Sequence, residues 1–122
     1  MADGLEAPIT QGGSNVSGGQ RQRLAIARAL VKKADIYIFD DSFSALDFST
    51  DARLRAALKA ELGRATLIIV AQRVGTIMSA DRIVVMEAGR IVGSGTHTEL
   101  MASNETYREI VYSQLTEAEA VA

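Results

Sequence analysis

The stretch that most constrains this chain is Ile36-Tyr37-Ile38-Phe39, an unbroken apolar run ending in two carboxylates, Asp40 and Asp41. With no alternation of polar and apolar residues, it reads as a strand buried on both faces of a parallel sheet. Helical patterns lie on either side of it. In Ser17 to Lys33, Ser17 and Gln20 match a capping box, and Leu24, Ala27, Leu30 and Val31 recur at helical spacing among Arg21, Arg23, Arg28, Lys32 and Lys33. The second helix follows Ser49 and Thr50, carries Leu54, Leu58 and Leu62 on one stripe and stops at Gly63. Thr66 to Val70 predicts a second buried strand and Val74 to Ser79 a short helix. Arg82 to Met86 predicts a third strand, which Ala88-Gly89 turns into Ile91-Val92 as a hairpin. Helices over Thr98 to Ala102 and Glu105 to Leu115 complete the pattern. Strand and helix alternate, so the expected class is α/β, with a parallel core and a C-terminal hairpin.

A chain of 122 residues can bury one modest core, as a single domain or part of a larger one. A hydrophobic fraction of 48% with 23% charged residues is globular rather than disordered. A net charge of −2 leaves no electrostatic footprint for nucleic acid. Zero Cys rules out a disulfide framework or a thiolate metal site. The longest apolar runs, such as Leu67 to Ala71, fall far short of the roughly 20 residues that span a bilayer, and no basic-then-apolar leader opens the chain. Residues 1–15 read as a flexible lead-in, glycine-rich with the only proline at Pro8, and 117–122 as a frayed acidic tail, leaving 16–116 as the folded part.

Two places can carry chemistry. Ser17-Gly18-Gly19 stands at the first turn of a helix, where free amides and the positive dipole end attract an anion and glycines allow close approach. A plain capped helix start explains Ser17 and Gln20 equally well. Asp40-Asp41, at the end of a short apolar strand, looks like a magnesium-nucleotide site. Such a site depends on an upstream phosphate loop, G-x-x-x-x-G-K-[ST], and no stretch of the chain fits that pattern. Met78, Met86 and Met101 read as core or edge packing, Tyr107 and Tyr112 as residues that pack the last helix, and His97 as a surface or capping residue.

Taken in order, Asn15-Val16-Ser17-Gly18-Gly19-Gln20, the run Arg21 to Leu30, Ile36 to Asp41 and Ser44-Ala45-Leu46-Asp47 resemble the nucleotide-binding domain of ATP-binding cassette (ABC) proteins, over nearly the whole chain from Gly12 to Leu115. Gly95-Thr96-His97-Thr98-Glu99-Leu100 is similar to a stretch found after the hairpin in exporter-type cassettes. The resemblance implies a partial P-loop NTPase (RecA-like) ABC ATPase core: parallel strands, the signature-motif helix, and a C-terminal β-hairpin plus helices. It corresponds to the C-terminal part of such a domain.

By that resemblance Val16 to Gln20 is the signature loop, with Val16 where leucine is usual, so that Ser17, Gly18, Gly19 and Gln20 close over ATP held by a partner domain in a head-to-tail dimer. Asp40 corresponds to the Walker B aspartate that holds Mg2+ through water, and Ser44 to Asp47 to the D-loop at the dimer interface. A helix-capping role for Asp47 and Ser49 is compatible with that. Two positions depart from the family. Asp41 stands where glutamate is usual, and one methylene fewer leaves its oxygens roughly 1.5 Å short. Gln72 stands where the family carries its switch histidine; it can donate a hydrogen bond to a phosphate but cannot relay a proton near neutral pH. Arg73 is open between a surface and a phosphate-facing role.

The pattern is that of a hydrolysis-impaired subunit in a heterodimeric exporter at the cytoplasmic face of a membrane. It implies ATP and Mg2+ in the complete dimer, a second ABC nucleotide-binding domain as partner, transmembrane domains outside this chain, and no nucleic acid. Two alternatives stand beside it: a non-enzymatic dimerisation or regulatory module, and a soluble cassette of repair or translation.

Overall fold

Ser17 opens the first helix as its spacing predicts. Its Oγ accepts the Gln20 N–H at 3.1 Å, and Gln20 Oε1 accepts the Ser17 N–H at 2.9 Å, completing the capping box. In this computed structural model, which describes residues 3–121 and side chains as far as Thr116, that helix is α1, Gly18–Val31. Ahead of it lie two 3-10 turns, Gly4–Glu6 and Gln11–Gly13, and Asn15 joins Thr10 to the Pro8 carbonyl. Met1 and Ala2 of the expected lead-in, and Ala122 of the expected tail, lie outside the described residues.

The chain divides into two compact units, Met1–Val70 and Ala71–Ala122. In the first, β1 (Ile36–Asp40) pairs in parallel with β2 (Thr66–Val70), with Ile36 opposite Thr66 and Asp40 opposite Val70. Parallel strands need a crossover, and α2, Phe48–Glu61, supplies it. Ile26, Tyr37, Phe39, Phe43, Leu46 and Leu58 form the core, with Leu30, Leu54, Leu62, Leu67 and Ile69 packed against it.

Two expectations fail here. The strands are covered on one face only: Ile36, Ile38, Ile68 and Val70 are exposed, Ile38 at 67%. Alternate strand residues point to opposite faces, and both helices deliver their apolar side chains to the face of Tyr37, Phe39, Leu67 and Ile69. On α1 the inward residues are Ile26 and Leu30, spaced by four, whereas Leu24 and Val31 are exposed.

The second unit is built more locally. After α3, Val74–Ile77, the strands β3 (Ile83–Glu87) and β4 (Arg90–Gly95) form an antiparallel hairpin. Ala88 and Gly89 have φ of 48° and 75°, the positive values a two-residue type I′ turn requires. Helices α4, His97–Ser103, and α5, Glu105–Val121, follow, α5 running on through the segment expected to fray. Val74, Ile83, Val85, Leu100, Tyr107 and Val111 make the core. Of the three methionines read as packing, only Met101 lies against it; Met78 and Met86 are exposed. Met86 shares with Val84 the outer face of β3, opposite Ile83 and Val85. Tyr107 is buried as expected but Tyr112 is not, because Val111, four residues after Tyr107, takes the inward position.

Candidate functional site

The C-terminal end of β1 presents Asp40 to solvent, where ligands bind in open α/β sheets. The Asp41 N–H donates to the Val70 carbonyl at 2.9 Å, carrying the parallel pairing one residue past the strand. Asp41 then turns into the left-handed region, φ 50°, which Asp enters more readily than most non-glycine residues. Its carbonyl accepts from Ser44 Oγ at 3.3 Å. The loop beyond is anchored by Phe43 and Leu46, both in the core. Leu46 is 3% exposed, so an approaching partner could meet the exposed Ser44, Ala45 and Asp47 but not its side chain. Asp47 caps α2: its Oδ2 accepts from Ser49 Oγ at 2.6 Å and from the Thr50 N–H at 3.3 Å. These bonds, that of Ser49 foremost, hold its carboxyl down to about 2.

The start of α1 lies on this loop. A Cβ at Gly19 would stand 3.1 Å from the Ala45 carbonyl oxygen and 3.5 Å from Leu46 Cδ2, and one at Gly18 would stand 3.5 Å from Ala45 Cβ. The glycines therefore have a packing reason to be there, beside the access they give an anion. Ser17 Oγ and Gln20 Oε1 are both engaged in the capping box. Arg21 Nη1 steadies the approach, donating to the Gly13 carbonyl at 3.2 Å and to that of buried Val16 at 3.3 Å.

Gln22 joins the two segments. Its Nε2 donates to the Asp41 carbonyl at 3.1 Å and to Ser44 Oγ at 2.9 Å, and its Oε1 accepts the Ala45 N–H at 2.8 Å. Only one orientation of the amide serves both a carbonyl and an N–H.

In the second unit, Gln72 is exposed, and its carbonyl accepts from Gln114 Nε2 on α5, while Gln114 Oε1 accepts the Val74 N–H at 2.8 Å. Arg73 is the N-cap residue of α3, its carbonyl accepting the Thr76 N–H at 3.1 Å. His97 is neither a free surface residue nor the cap. Thr96 caps α4, in a box with Glu99, and His97 Nδ1 hydrogen-bonds the Tyr107 hydroxyl at 2.8 Å. Burial pushes the Tyr107 phenol above its ordinary value.

Sequence reasoning missed Gln22, Gln114 and Asp51. Gln22 had a readable trace: with Ile26 and Leu30 it forms an i, i+4, i+8 stripe, a polar residue in line with two inward ones. Asp51, 2% exposed, pairs with Arg55 Nε at 2.6 Å, and D-x-x-x-R spacing on a helix was the available sign. Gln114 had none, since its partners lie some 40 residues away. Among the described residues no group of three or more His, Cys, Asp or Glu gathers as a metal site. The exposed Asp40 carboxylate suits Mg2+ in the manner of sites that take one or two carboxylates and complete the ion's shell with phosphate oxygens and water. No described helix is long and apolar enough to cross a membrane.

An ABC transporter family model matches residues 1–44. The chain is 52% identical over 114 residues to an uncharacterized ABC transporter ATP-binding protein of Mycobacterium tuberculosis, covering 93% of this chain and 20% of that protein. It is 43% identical, again over 114 residues, to the ATP-dependent lipid A-core flippase of Bordetella pertussis, covering 93% of this chain and 18% of the flippase. Its fold matches a bacterial Atm1-family ABC exporter with ATP bound, with a TM-score of 0.88 at 34% identity, over 93% of this chain and 20% of that one. The α/β arrangement with parallel strands is thus that of a P-loop NTPase, and the chain belongs to the ABC transporter ATP-binding family. It spans about a fifth of the length of the curated relatives it matches.

Proposed function

We propose that this chain contributes two separate half-sites to a head-to-tail pair of ABC ATP-binding domains that drives export across a membrane. Ser17 to Gln20 would close over the partner's ATP. Asp40 would hold Mg2+ through water at the chain's own nucleotide, where the ion, when bound, neutralises phosphate charge. The observation that carries this reading is the end of β1, where Asp40 is presented at the strand terminus and Asp41 follows it in the left-handed region; by the family resemblance Asp41 and Gln72 correspond to the hydrolytic positions. A shortened carboxylate and a side chain that cannot relay a proton support a slow own site beside a working signature loop, as in a heterodimer. Misplacement of the carboxylate costs on the order of 100-fold, and loss of general-base work about 10² to 10⁴.

The test uses a polypeptide in which a phosphate loop precedes this segment. Asp41→Glu with Gln72→His should raise single-turnover ATP hydrolysis at this chain's own site by about 100-fold. No gain would overturn the reading. The 122-residue chain alone should show no Mg-ATP binding by calorimetry, and tight binding would count equally against it.

The absence of G-x-x-x-x-G-K-[ST] from these residues favours one second reading, a dimerisation or regulatory module. In that case adding the chain to a catalytically complete ABC domain changes that domain's ATPase rate while the double substitution changes nothing.

A further inference from the structure

We propose that Gln22 is a positioning residue that couples the signature loop of this chain to its own Asp41 segment and D-loop. The proposal deepens the functional reading above and rests on it for its meaning. There, Ser17 to Gln20 serve the partner's nucleotide and Asp40-Asp41 this chain's own, so one side chain bridges two composite sites within a single subunit. The bracket itself needs no nucleotide.

Three observations carry it. Gln22 lies five residues past Ser17 on the same rigid helix, so a shift of the helix start moves its carboxamide as well. That carboxamide holds the loop at both ends, by the Asp41 carbonyl and the Ala45 N–H, with Ser44 Oγ between. Asp41 is also where the backbone enters the left-handed region, so its carbonyl direction depends on what holds it. The packing of Gly19 on Ala45 brings the same two segments together but has no directional component. The carboxamide sets the angle.

The chain itself, labelled for NMR, provides the test. Gln22→Met keeps the length and removes all three bonds; amide exchange at Ala45 should rise about 3- to 10-fold, since a hydrogen bond of ordinary net strength is lost. Gln22→Glu keeps the acceptor for Ala45 and loses both donors. It should leave Ala45 protected while shifting the Asp41 and Ser44 resonances. In the parent chain, Ser17→Ala should move the Asp41 and Ala45 amide resonances, and in the Gln22→Met background it should move them less. Unchanged Ala45 exchange in a folded Gln22→Met chain would overturn the proposal, as would an equal response to Ser17→Ala in both backgrounds. Should Gln22→Met fail to fold, Gln22→Glu decides: Asp41 and Ser44 resonances that stay in place overturn it.

Failure of the functional reading looks different. With ATP and a partner ABC domain present, the Ser17 to Gln20 resonances would not respond, while every result on the bracket would stand.

Discussion

In the unit Met1–Val70, the backbone of Asp41 is held by Gln22, which comes 19 residues before it; in the unit Ala71–Ala122, the backbone of Gln72 is held by Gln114, which comes 42 residues after it. Each glutamine donates to the carbonyl of a residue proposed above for hydrolysis and accepts an N–H a few residues on, Ala45 in one case and Val74 in the other. The surroundings differ. Gln22 belongs to α1, the helix that opens with the proposed signature loop Ser17 to Gln20, so motif and support are one element. Gln114 belongs to α5, which carries no motif and is seated in its unit by Tyr107 and Val111. The position of Gln72 therefore depends on a helix that motif reading passes over.

The comparison can be broken first at the cores. Phe39→Ala removes a buried ring that stacks on Tyr37 and meets Phe43 at a tilt, and should cost about 3–5 kcal/mol. Leu100→Ala, at the centre of the other core, should cost about 2–5 kcal/mol. Urea denaturation followed by NMR signals of each unit measures both, and a loss below about 1 kcal/mol in either would mean its core is not what holds that unit.

The second test is Gln114→Met. It removes both bonds of the α5 bracket and should cost about 1–3 kcal/mol, with faster amide exchange at Val74. Protection that survives would show that Gln72 is held by something other than α5.

The third is the acid response of the α2 cap. The Asp47 carboxyl lies below its ordinary value near 3.8, so the charged form is favoured in the folded chain. Its stabilising contribution is therefore complete above pH 4 and is lost as pH falls through about 2. Asp47→Ala should flatten the fall of melting temperature across that window, and an unaltered slope would remove the cap from the account.

The smallest effect belongs to the hairpin. Ala88 holds φ 48°, where its Cβ is unfavourable, so Ala88→Asn should stabilise the second unit by about 0.5–1 kcal/mol. Destabilisation would mean the turn is not type I′.

What could be read in advance was local. Ser17 with Gln20, Asp47 before α2, and Ala88-Gly89 between β3 and β4 each act on atoms two to four residues away, so spacing alone exposes them. Burial was less legible. The apolar run Ile36 to Phe39 could not say that only one face is covered, because that depends on where α1 and α2 deliver their side chains. Met86 and Tyr112 failed for the same reason: their types suit a core, but the face belonged to Val85 and Val111.

By itself, then, the sequence determined the order of elements, their caps, the hairpin turn, and the residue types at the candidate site, including the two departures at Asp41 and Gln72. Only the tertiary structure decided that Asp41 sits in the left-handed region, that Leu46 faces inward, and that Gln22 and Gln114 hold the two site segments. The physical reason is distance along the chain. A hydrogen bond spanning 19 or 42 residues forms only after packing has brought its partners together, and no local propensity records it.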